Sequence, residues 1–311
     1  MASVVSDSGL LAGVCALFGL LIGSFLNVVV FRLPRMMQRQ WAADAVELLS
    51  DAEIGTEIGL SHADAQILGP ALERVRQQIL SLSPLRLSLP RSRCPACGHG
   101  ITAMENIPLL SWLALRGRCS ACATRISPRY PLVEAATALL FGIAGLEFGW
   151  APELGASFVL IGFLIVLTLI DADTMLLPDS LTLALLWIGL VAAVLGIGFV
   201  PVWQSVAGAA AGYSIFWLVG TVFRLVRGIE GMGAGDYKLL AALGAWFGWP
   251  ALLPIILISA GVGSIVGLSL MAVRRASLLT KLPFGVYLAP AGLIMIFFGR
   301  EITSSLLPGV R

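Results

Sequence analysis

Charged side chains are scarce in this sequence. Asp, Glu, Lys and Arg make up 12% of the 311 residues, whereas hydrophobic residues make up 58%. A soluble globular domain usually carries about 25% charged residues, roughly twice this share. The mean hydropathy of +0.92 points the same way. These values exclude an ordinary soluble domain and indicate that most of the chain lies in a lipid bilayer.

Other features are missing as well. The net charge is only +2, which is too small to indicate a nucleic-acid partner. The first apolar run, residues 8–31, has no basic segment before it and no small-residue cleavage site after it. We therefore expect a spanning helix there rather than a cleaved signal peptide. The sequence also has no repeat of fixed period and no glycine-rich βαβ unit, which argues against solenoids and Rossmann-type cofactor domains.

What the chain does contain is a series of long apolar segments. Pro34 is expected to end the first helix, because proline removes a backbone N–H from the helix interior. Segment 237–248 is short for a span, so it either tilts, breaks at Trp249-Pro250 or enters the membrane only part way. With it, the sequence predicts an all-α polytopic membrane protein with about eight transmembrane helices. After the first, the predicted helices are 132–149, 153–171, 180–199, 204–223, 237–248, 251–273 and 283–299.

Basic residues are concentrated in every second loop between these helices. The loops around Trp150-Ala151 and at 199–203 contain no Lys or Arg. Because positively charged loops stay in the cytoplasm, the pattern places residues 32–131 inside and both termini outside. The basic residues on the predicted cytoplasmic side are Arg32, Arg35, Arg39, Arg116, Arg118, Arg125, Arg129, Arg224, Arg227, Arg274, Arg275 and Lys281.

A polar region separates the first apolar run from the others. We divide the chain into a first transmembrane helix at 1–31, a cytoplasmic domain at 32–131 and a membrane domain at 132–311. Residues 38–82 of the cytoplasmic domain are predicted to form an Ala/Glu-rich helical insertion. Its acidic side chains either attract a basic peptide or line a solvated helix face. They are Asp44, Glu47, Asp51, Glu53 and Glu57.

Two CxxC pairs lie in the polar region, Cys94 with Cys97 and Cys119 with Cys122. Each pair places two thiolates on one tight turn, and two such turns complete the tetrahedral set that Zn2+ prefers. We therefore predict a zinc-ribbon-like site. With four protein ligands and no open position, its zinc would be structural rather than catalytic. The alternatives are free thiols or a redox pair, and His99 is either a spare ligand or a turn residue.

Two aspartates lie at the ends of apolar runs. Asp171 ends one run and Asp236 begins another, and the charge pattern puts both ends on the cytoplasmic side, where the two can face each other. Ionisable residues at such positions are costly unless they are paired or functional. A close carboxylate pair shares one proton, so that the ionised member can take a proton from water while the other polarises a peptide carbonyl. Alternatively Asp236 caps a helix, as Asp179 is expected to do, and Asp173 is a solvated loop residue.

Several segments, in the same order along the chain, resemble the type IV prepilin peptidases. Gly233, Gly235 and Asp236 belong to a run, GAGD, that is similar to the GxGD motif of membrane aspartyl proteases. Residues 169–179 (LIDADTMLLPD) resemble the first aspartate motif of the prepilin peptidases. The segment GSFLNVVVFRLP before residue 35 resembles their N-terminal signature, and YPLVE before residue 135 the start of their second span. The two CxxC pairs resemble the cytoplasmic domain of the bifunctional members.

The resemblance implies an enzyme that removes the leader of type IV prepilins or type II secretion pseudopilins at the cytoplasmic face of the bacterial inner membrane. Asp171 and Asp236 correspond to its catalytic aspartates. The resemblance also implies N-methylation of the new N-terminal residue, with S-adenosylmethionine as the methyl donor. Ser24 and Asn27, one helical turn apart, are candidates for the methyl-transfer site, or else they form interhelical hydrogen bonds. The 38–82 insertion is longer than we expect for this family.

Two other classes of function remain possible from the residues alone. A transporter or channel would relay protons or ions through the carboxylates, but such proteins favour charges near the middle of the membrane and internal repeats, which the sequence does not have. A structural assembly protein would dock partners on the zinc ribbon, and it would have no need of Asp171 or Asp236. The sequence therefore favours the peptidase.

Overall fold

The computed structural model describes residues 2–51, 57, 59, 61–102, 104–229, 231–273 and 283–309. In these ranges the ordered elements are helices, apart from two isolated β-bridges, and the predicted all-α class is confirmed. The helices are α1 (Ala2–Ser50), α2 (His62–Ser81), α3 (Leu110–Ala114), α4 (Arg129–Phe148), α5 (Glu153–Thr174), α6 (Asp179–Val194), α7 (Val202–Arg227), α8 (Ala234–Phe247), a 3-10 turn (Trp249–Ala251), α9 (Leu252–Ala272) and α10 (Gly285–Leu306).

The first helix passes through Pro34 and continues to Ser50, so the prediction that Pro34 ends it is wrong. A proline inside a helix costs about 3 kcal/mol. Here, contacts on both sides of the proline offset that cost. The buried Arg32 guanidinium donates to carbonyls of the 86–90 segment at 2.7, 2.9 and 3.1 Å. Arg35 donates at 2.6 Å to a carbonyl one turn earlier, and α2 packs against α1 beyond the proline.

Six helical segments in the described part of the chain are long and apolar enough to cross a membrane. They are α1, α4, α5, α7, the 3-10 turn with α9, and α10. Two helices predicted as spans are shorter, since α6 has 16 residues and α8 has 14. At a rise of 1.5 Å per residue, 14 residues extend about 21 Å, less than the roughly 30 Å of a bilayer core. A count of eight spans is therefore not confirmed.

Helix α8 lies inside the bundle, where it contacts α6, α7, α9 and α10. All its residues from Leu239 to Trp246 are buried, so it is apolar all round, as a helix without a solvent or lipid face must be. It ends at Gly248, whose φ of +77° requires glycine. The chain then breaks at Trp249-Pro250 in the 3-10 turn. The predicted break at Trp249-Pro250 is confirmed, and the tilt of this segment and its partial entry into the membrane stay predictions.

Glycines allow two pairs of helices to pack with their backbones nearly touching. On α1, a Cβ atom added to Gly19 or Gly23 would lie 2.8 Å from a Cα atom of α4. Between α7 and α8, Gly208 and Gly244 face each other so closely that a Cβ atom on either would collide with the other's carbonyl group. Small residues at helix interfaces are typical of membrane bundles, where close packing takes over from the hydrophobic effect.

The described residues of the predicted insertion at 38–82 include the last part of α1 and the helix α2. Ser61 and Asp64 make a reciprocal capping box at the start of α2, which accounts for where that helix begins. The described acidic residues Asp44, Glu47, Asp51 and Glu57 are exposed, whereas Glu53 lies outside the described residues. Attraction of a basic peptide by this segment stays a prediction.

Candidate active site and metal centre

The carboxylate of Asp171 lies in the last turn of α5, with only 4% of the residue exposed. Its Oδ2 accepts a hydrogen bond of 2.9 Å from the backbone N–H of Val286, in the first turn of α10. A Cβ atom added to Gly285 would lie 2.7 Å from the same oxygen. The start of α10 therefore makes room for the carboxylate and points an N–H group at it. The positive end of a helix dipole suits a negative charge at this place.

Asp236 lies in the first turn of α8 and is 8% exposed. Gly233 precedes the helix, and no side chain caps it, so Asp236 is not the helix cap. The backbone N–H of Asp236 donates to the Gly233 carbonyl at 3.1 Å. A Cβ atom built on Gly233 would be 3.5 Å from Oδ2 of Asp236, which shows that the carboxylate folds back over the glycine turn.

The fold brings these two aspartates into one site. Leu177, in the turn after α5, packs against Gly235, next to Asp236, and against Gly285, next to the Asp171 carboxylate. A Cβ atom on Gly235 would lie 2.7 Å from Leu177 Cβ, and one on Gly285 would lie 3.0 Å from Leu177 Cδ1. The carboxylates of Asp171 and Asp236 are near enough to interact electrostatically. Among the described residues, the only other buried carboxylate is that of Glu134.

Two ion pairs flank the aspartate pair. They involve Asp173 and Asp179, whose predicted roles differ from those in the structure. Asp173 is in the last turn of α5, not in a loop, and both its oxygens accept from Arg129 at 2.7 and 2.8 Å. Asp179 is the first residue of α6 but makes no capping hydrogen bond. Its carboxylate instead accepts from Lys238 Nζ at 2.6 and 2.7 Å. The prediction that Asp179 caps its helix is wrong, because its carboxylate pairs with Lys238 on α8 and not with the backbone N–H groups at the helix end.

The four cysteines of the CxxC pairs converge on one point, with their sulfur atoms all within 4.8 Å of one another. Cys94 Sγ is 3.7 Å from Cys122 Sγ, and Cys97 Sγ is 4.0 Å from Cys119 Sγ. Four sulfurs at about 2.3 Å from a tetrahedral Zn2+ would be about 3.8 Å apart, so the cluster fits the ion. None of the four is in a disulfide. His99 lies outside the cluster.

The two cysteine turns have the same backbone shape. In each, the N–H of the first cysteine donates at 2.9 Å to a carbonyl five residues on, and its carbonyl accepts at 2.9 Å from the residue four positions on. Gly98 and Ala123 occupy equivalent positions with φ of +73° and +56°. Hydrogen bonds with the side chain and backbone of Thr124 lower the pKa of Cys122 to about 6. Backbone hydrogen bonds lower the pKa of Cys94 as well, and at these two cysteines the effect favours the thiolate that binds metal. At Cys97 a backbone hydrogen bond with His99 is outweighed by the Cys122 side chain and by burial, which raise the pKa to about 12.

Two carboxylates that the sequence reasoning did not single out hold this ribbon in place. Glu105 accepts from the side chain of Ser120 and from the backbone and side chain of Thr102, which lowers the pKa of its carboxyl to about 2. His99 is 3.4 Å from the same carboxylate. Glu134, in the first turns of α4, accepts at 2.9 Å from the backbone N–H of Leu109. It thereby ties the segment between the two cysteine turns to the membrane helices.

The candidates for methyl transfer lie at the contact between α1 and α4. Asn27 is buried, and its side-chain amide donates to the Tyr130 carbonyl at 3.1 Å and to the Gly23 carbonyl at 3.3 Å. Ser24 is half-buried. Asn27 thus makes the interhelical hydrogen bond that was the alternative reading of this residue. Participation of either residue in methyl transfer stays a prediction.

The fold and these sites together define a multi-pass helical membrane protein with a buried carboxylate pair at its helix ends and a four-cysteine, metal-type ribbon between its first two membrane helices. The sequence profile of the Bacterial Peptidase A24 N-terminal domain matches residues 17–148. The profile of the type IV leader peptidase family matches residues 158–268. The second match contains both aspartates.

Relatives resemble the chain over nearly its whole length. A protein of Stutzerimonas stutzeri is 46% identical, covering 96% of this chain and 94% of its own. One of Pseudomonas aeruginosa is 47% identical, covering 94% and 91%, and one of Aeromonas hydrophila is 46% identical, covering 92% and 90%. Each is named prepilin leader peptidase/N-methyltransferase. The chain belongs to the type IV leader peptidase family. No solved structure gave a significant match.

Proposed function

We propose that this protein removes the leader peptide from type IV prepilins or type II secretion pseudopilins and then methylates the new N-terminal residue. The observation that carries the proposal is the buried, adjacent pair Asp171 and Asp236 at helix ends, in a chain 46% and 47% identical to proteins named for these two activities. A transporter or a purely structural role has no comparable support, because neither accounts for the relatives.

In the proposed reaction the two carboxylates act as one unit. They share one proton, since two close carboxylates do not both ionise readily. The ionised carboxylate takes a proton from water, and the oxygen of that water bonds to the scissile peptide carbon. The protonated carboxylate hydrogen-bonds to the carbonyl oxygen and stabilises the charge that develops there. The C–N bond then breaks as the leaving nitrogen takes a proton, and no covalent enzyme intermediate forms.

The aspartates face the cytoplasm of the bacterial inner membrane in this proposal. Arg129 pairs with Asp173, two residues after Asp171, and the last turn of α7, the helix that precedes Asp236 in the chain, carries Arg224 and Arg227. Such positive charge near helix ends is typical of the cytoplasmic side. The basic residues Arg274, Arg275 and Lys281 lie outside the described residues.

Zinc is proposed as a structural ion held by Cys94, Cys97, Cys119 and Cys122. Bound there, it supplies folding energy to the ribbon and takes no part in peptide cleavage. S-adenosylmethionine is proposed as the methyl donor because the relatives carry N-methyltransferase in their names. Both amide hydrogens of Asn27 are already engaged with carbonyl groups, so Asn27 fits the donor poorly, and no step is assigned to it.

Isosteric substitution of the aspartates tests the peptidase. Asp171→Asn and Asp236→Asn should each lose at least about 1,000-fold in cleavage rate, because asparagine can hydrogen-bond but cannot exchange the shared proton. The double variant should be little worse than either single variant, as expected for residues that work as a unit. The assay is the mass of a prepilin incubated with the purified protein. Each variant is first shown to insert into the membrane and to bind zinc. Near-normal cleavage by either one would then contradict the mechanism.

The same assay tests methylation when S-adenosylmethionine is added. The cleaved product should then gain the mass of one methyl group. A product that is cleaved but never gains this mass would remove the methyltransferase part of the proposal and leave the peptidase intact. If Ser24 and Asn27 line the methyl-transfer site, Ser24→Ala and Asn27→Ala should lose methylation of the product and keep leader cleavage.

A further inference from the structure

An ion pair between Lys238 and Asp179 connects the segment that follows Asp171 with the helix that carries Asp236. These two segments are the two halves of the carboxylate site. Lys238 is two residues after Asp236, in the first turns of α8. Asp179 begins α6, just after the turn that follows Asp171 and α5. Lys238 Nζ reaches both oxygens of Asp179, at 2.6 and 2.7 Å. The ion pair therefore links the chain segment that carries Asp171 to the helix that carries Asp236.

The surroundings show why such a connection matters on the α8 side. Gly231 and Gly233 lie just before α8, and Gly235 is the second residue of the helix. Glycine has the largest conformational freedom of any residue, and helix ends fray more readily than helix centres. Asp236 thus projects from a helix start with little intrinsic stiffness. Lys238 is the charged side chain in the first turns of α8 that reaches across to the other half of the site.

The other side of the site is fixed by backbone contacts. Asp171 is held by the N–H of Val286, and Leu177 packs against Gly285. Leu177 also contacts Gly235, but this contact is apolar and sets no direction for the helix. The Lys238 ammonium lies within hydrogen-bond distance of both Asp179 oxygens, and this charge-assisted contact limits the distance between the starts of α8 and α6.

We propose that Lys238 and Asp179 are positioning residues, whose ion pair holds the start of α8 against the start of α6 and so sets the separation of the Asp171 and Asp236 carboxylates. The proposal rests on the proposed peptidase function. Neither residue touches the reacting atoms. As an ordinary surface ion pair, with side chains 25% and 60% exposed, it would contribute little to stability. Its effect should therefore appear in the rate of the chemical step.

The expected size of the effect follows from the sensitivity of catalysis to geometry, because a misplacement of about 1 Å can cost about 100-fold in rate. Lys238→Met should lower kcat for leader cleavage by roughly 10- to 100-fold and leave KM within about threefold. Asp179→Asn should act in the same direction. Lys238→Arg keeps a cation that can pair with the carboxylate and should retain most of the activity. Zinc content and the thermal unfolding midpoint should stay unchanged in all three.

A double charge reversal tests whether the ion pair itself matters, rather than either residue alone. The double variant Lys238→Asp with Asp179→Lys restores an ion pair in the opposite sense and should recover at least about tenfold over either single reversal. The matched control is Arg76→Met, which removes an ion pair with Glu73 on α2, away from the aspartates, and should leave kcat unchanged.

Three outcomes would overturn the proposal. They are an unchanged kcat in Lys238→Met, a loss confined to KM, which would place the lysine on the substrate, and a double reversal no better than the single ones. Failure of the proposed function looks different. In that case the unaltered protein leaves prepilin intact, or Asp171→Asn and Asp236→Asn cleave normally.

Discussion

At Gly285, one added methyl group would enter the space that the Asp171 carboxylate occupies, since a Cβ atom there would be 2.7 Å from Oδ2. Gly285→Ala should therefore push the carboxylate away from its place and lower leader cleavage by at least about tenfold, given the steep dependence of catalysis on geometry. Backbone strain is not the cause, because this glycine is not among those with positive φ. Cleavage of prepilin by the purified variant is the measurement.

The control for this prediction is Gly261→Ala. Gly261 lies on α9, and a Cβ atom there would meet nothing within 4 Å. The Gly261→Ala variant should therefore cleave prepilin at the normal rate. Equal activity of the two alanine variants would show that the start of α10 does not shape the site.

Ala123 adopts a backbone conformation that disfavours side chains, with φ of +56°. Gly98 fills the equivalent position of the other cysteine turn without that cost, at φ of +73°. Left-handed backbone costs a non-glycine residue about 1–2 kcal/mol. Ala123→Gly should stabilise the ribbon by about 1 kcal/mol and slow the release of zinc to a chelator, whereas Gly98→Ala should speed it.

Gly100→Ala serves as the comparison for these two variants, because Gly100 has no positive φ and open space around it. Its zinc release should match that of the unaltered protein. The prediction fails if Ala123→Gly releases zinc faster than the unaltered protein does.

At the residue scale, the sequence identified groups whose chemistry is rare in lipid. Asp171 and Asp236 were predicted because a carboxylate at the end of a membrane span is costly unless it is paired or functional. The structure buries both and brings them together, and their catalytic role stays a prediction. Gly285, Glu134 and Lys238 were missed. Their roles depend on which helix end lies beside which, and spacing along the chain does not contain that information. The segment YPLVE was noticed, but only as a resemblance.

The two cysteine turns form the clearest separate element of the fold. Purified protein should contain one Zn2+ per chain, and Cys97→Ala should lose it, because a structural site needs all four ligands. The region between α1 and α4 should then become sensitive to protease, since zinc binding supplies much of the folding energy of such ribbons. The membrane helices should keep their far-ultraviolet circular dichroism signal.

Cys15→Ala is the natural control for zinc loss. Cys15 is a buried thiol on α1 that packs against Gly145 of α4, far along the chain from the ribbon. It should keep a full zinc content. Protein that is purified reduced and free of chelators yet contains no zinc would contradict the assignment of the four cysteines.

Helix bounds were predictable where apolar runs have clear ends. Helices α5 and α9 fall within a few residues of their predicted limits, because Pro152 and Pro250 lie just before them. Helix α1 was predicted too short. The contacts that carry it past Pro34 come from segment 86–90 and α2, which are distant in sequence, and such tertiary support overrides a local helix-breaking signal.

At the scale of the whole molecule, the number of membrane crossings depends on the two short helices, α6 and α8, and the position of α7 bears on α6. Helix α7 ends at Arg227, and the chain then leads to Asp236 at the carboxylate site. Its 26 residues are enough for one complete crossing, and such a crossing would put its start on the opposite face. Helix α6 begins at Asp179, beside the same site through its bond to Lys238. A crossing by α7 would then require the 16 residues of α6 to connect the two faces.

We predict that α6 crosses the membrane although 16 residues extend only about 24 Å, because a short span is accommodated by local thinning of the bilayer at modest cost. A topology reporter placed after Gly196, between α6 and α7, should report the side opposite to the cytoplasm, as should one after Trp150. Reporters after Ser83 and after Gly228 should report the cytoplasm. If the reporters after Gly196 and Gly228 give the same side, α6 and α7 do not each cross once, and the two aspartates cannot share a membrane face in the way proposed.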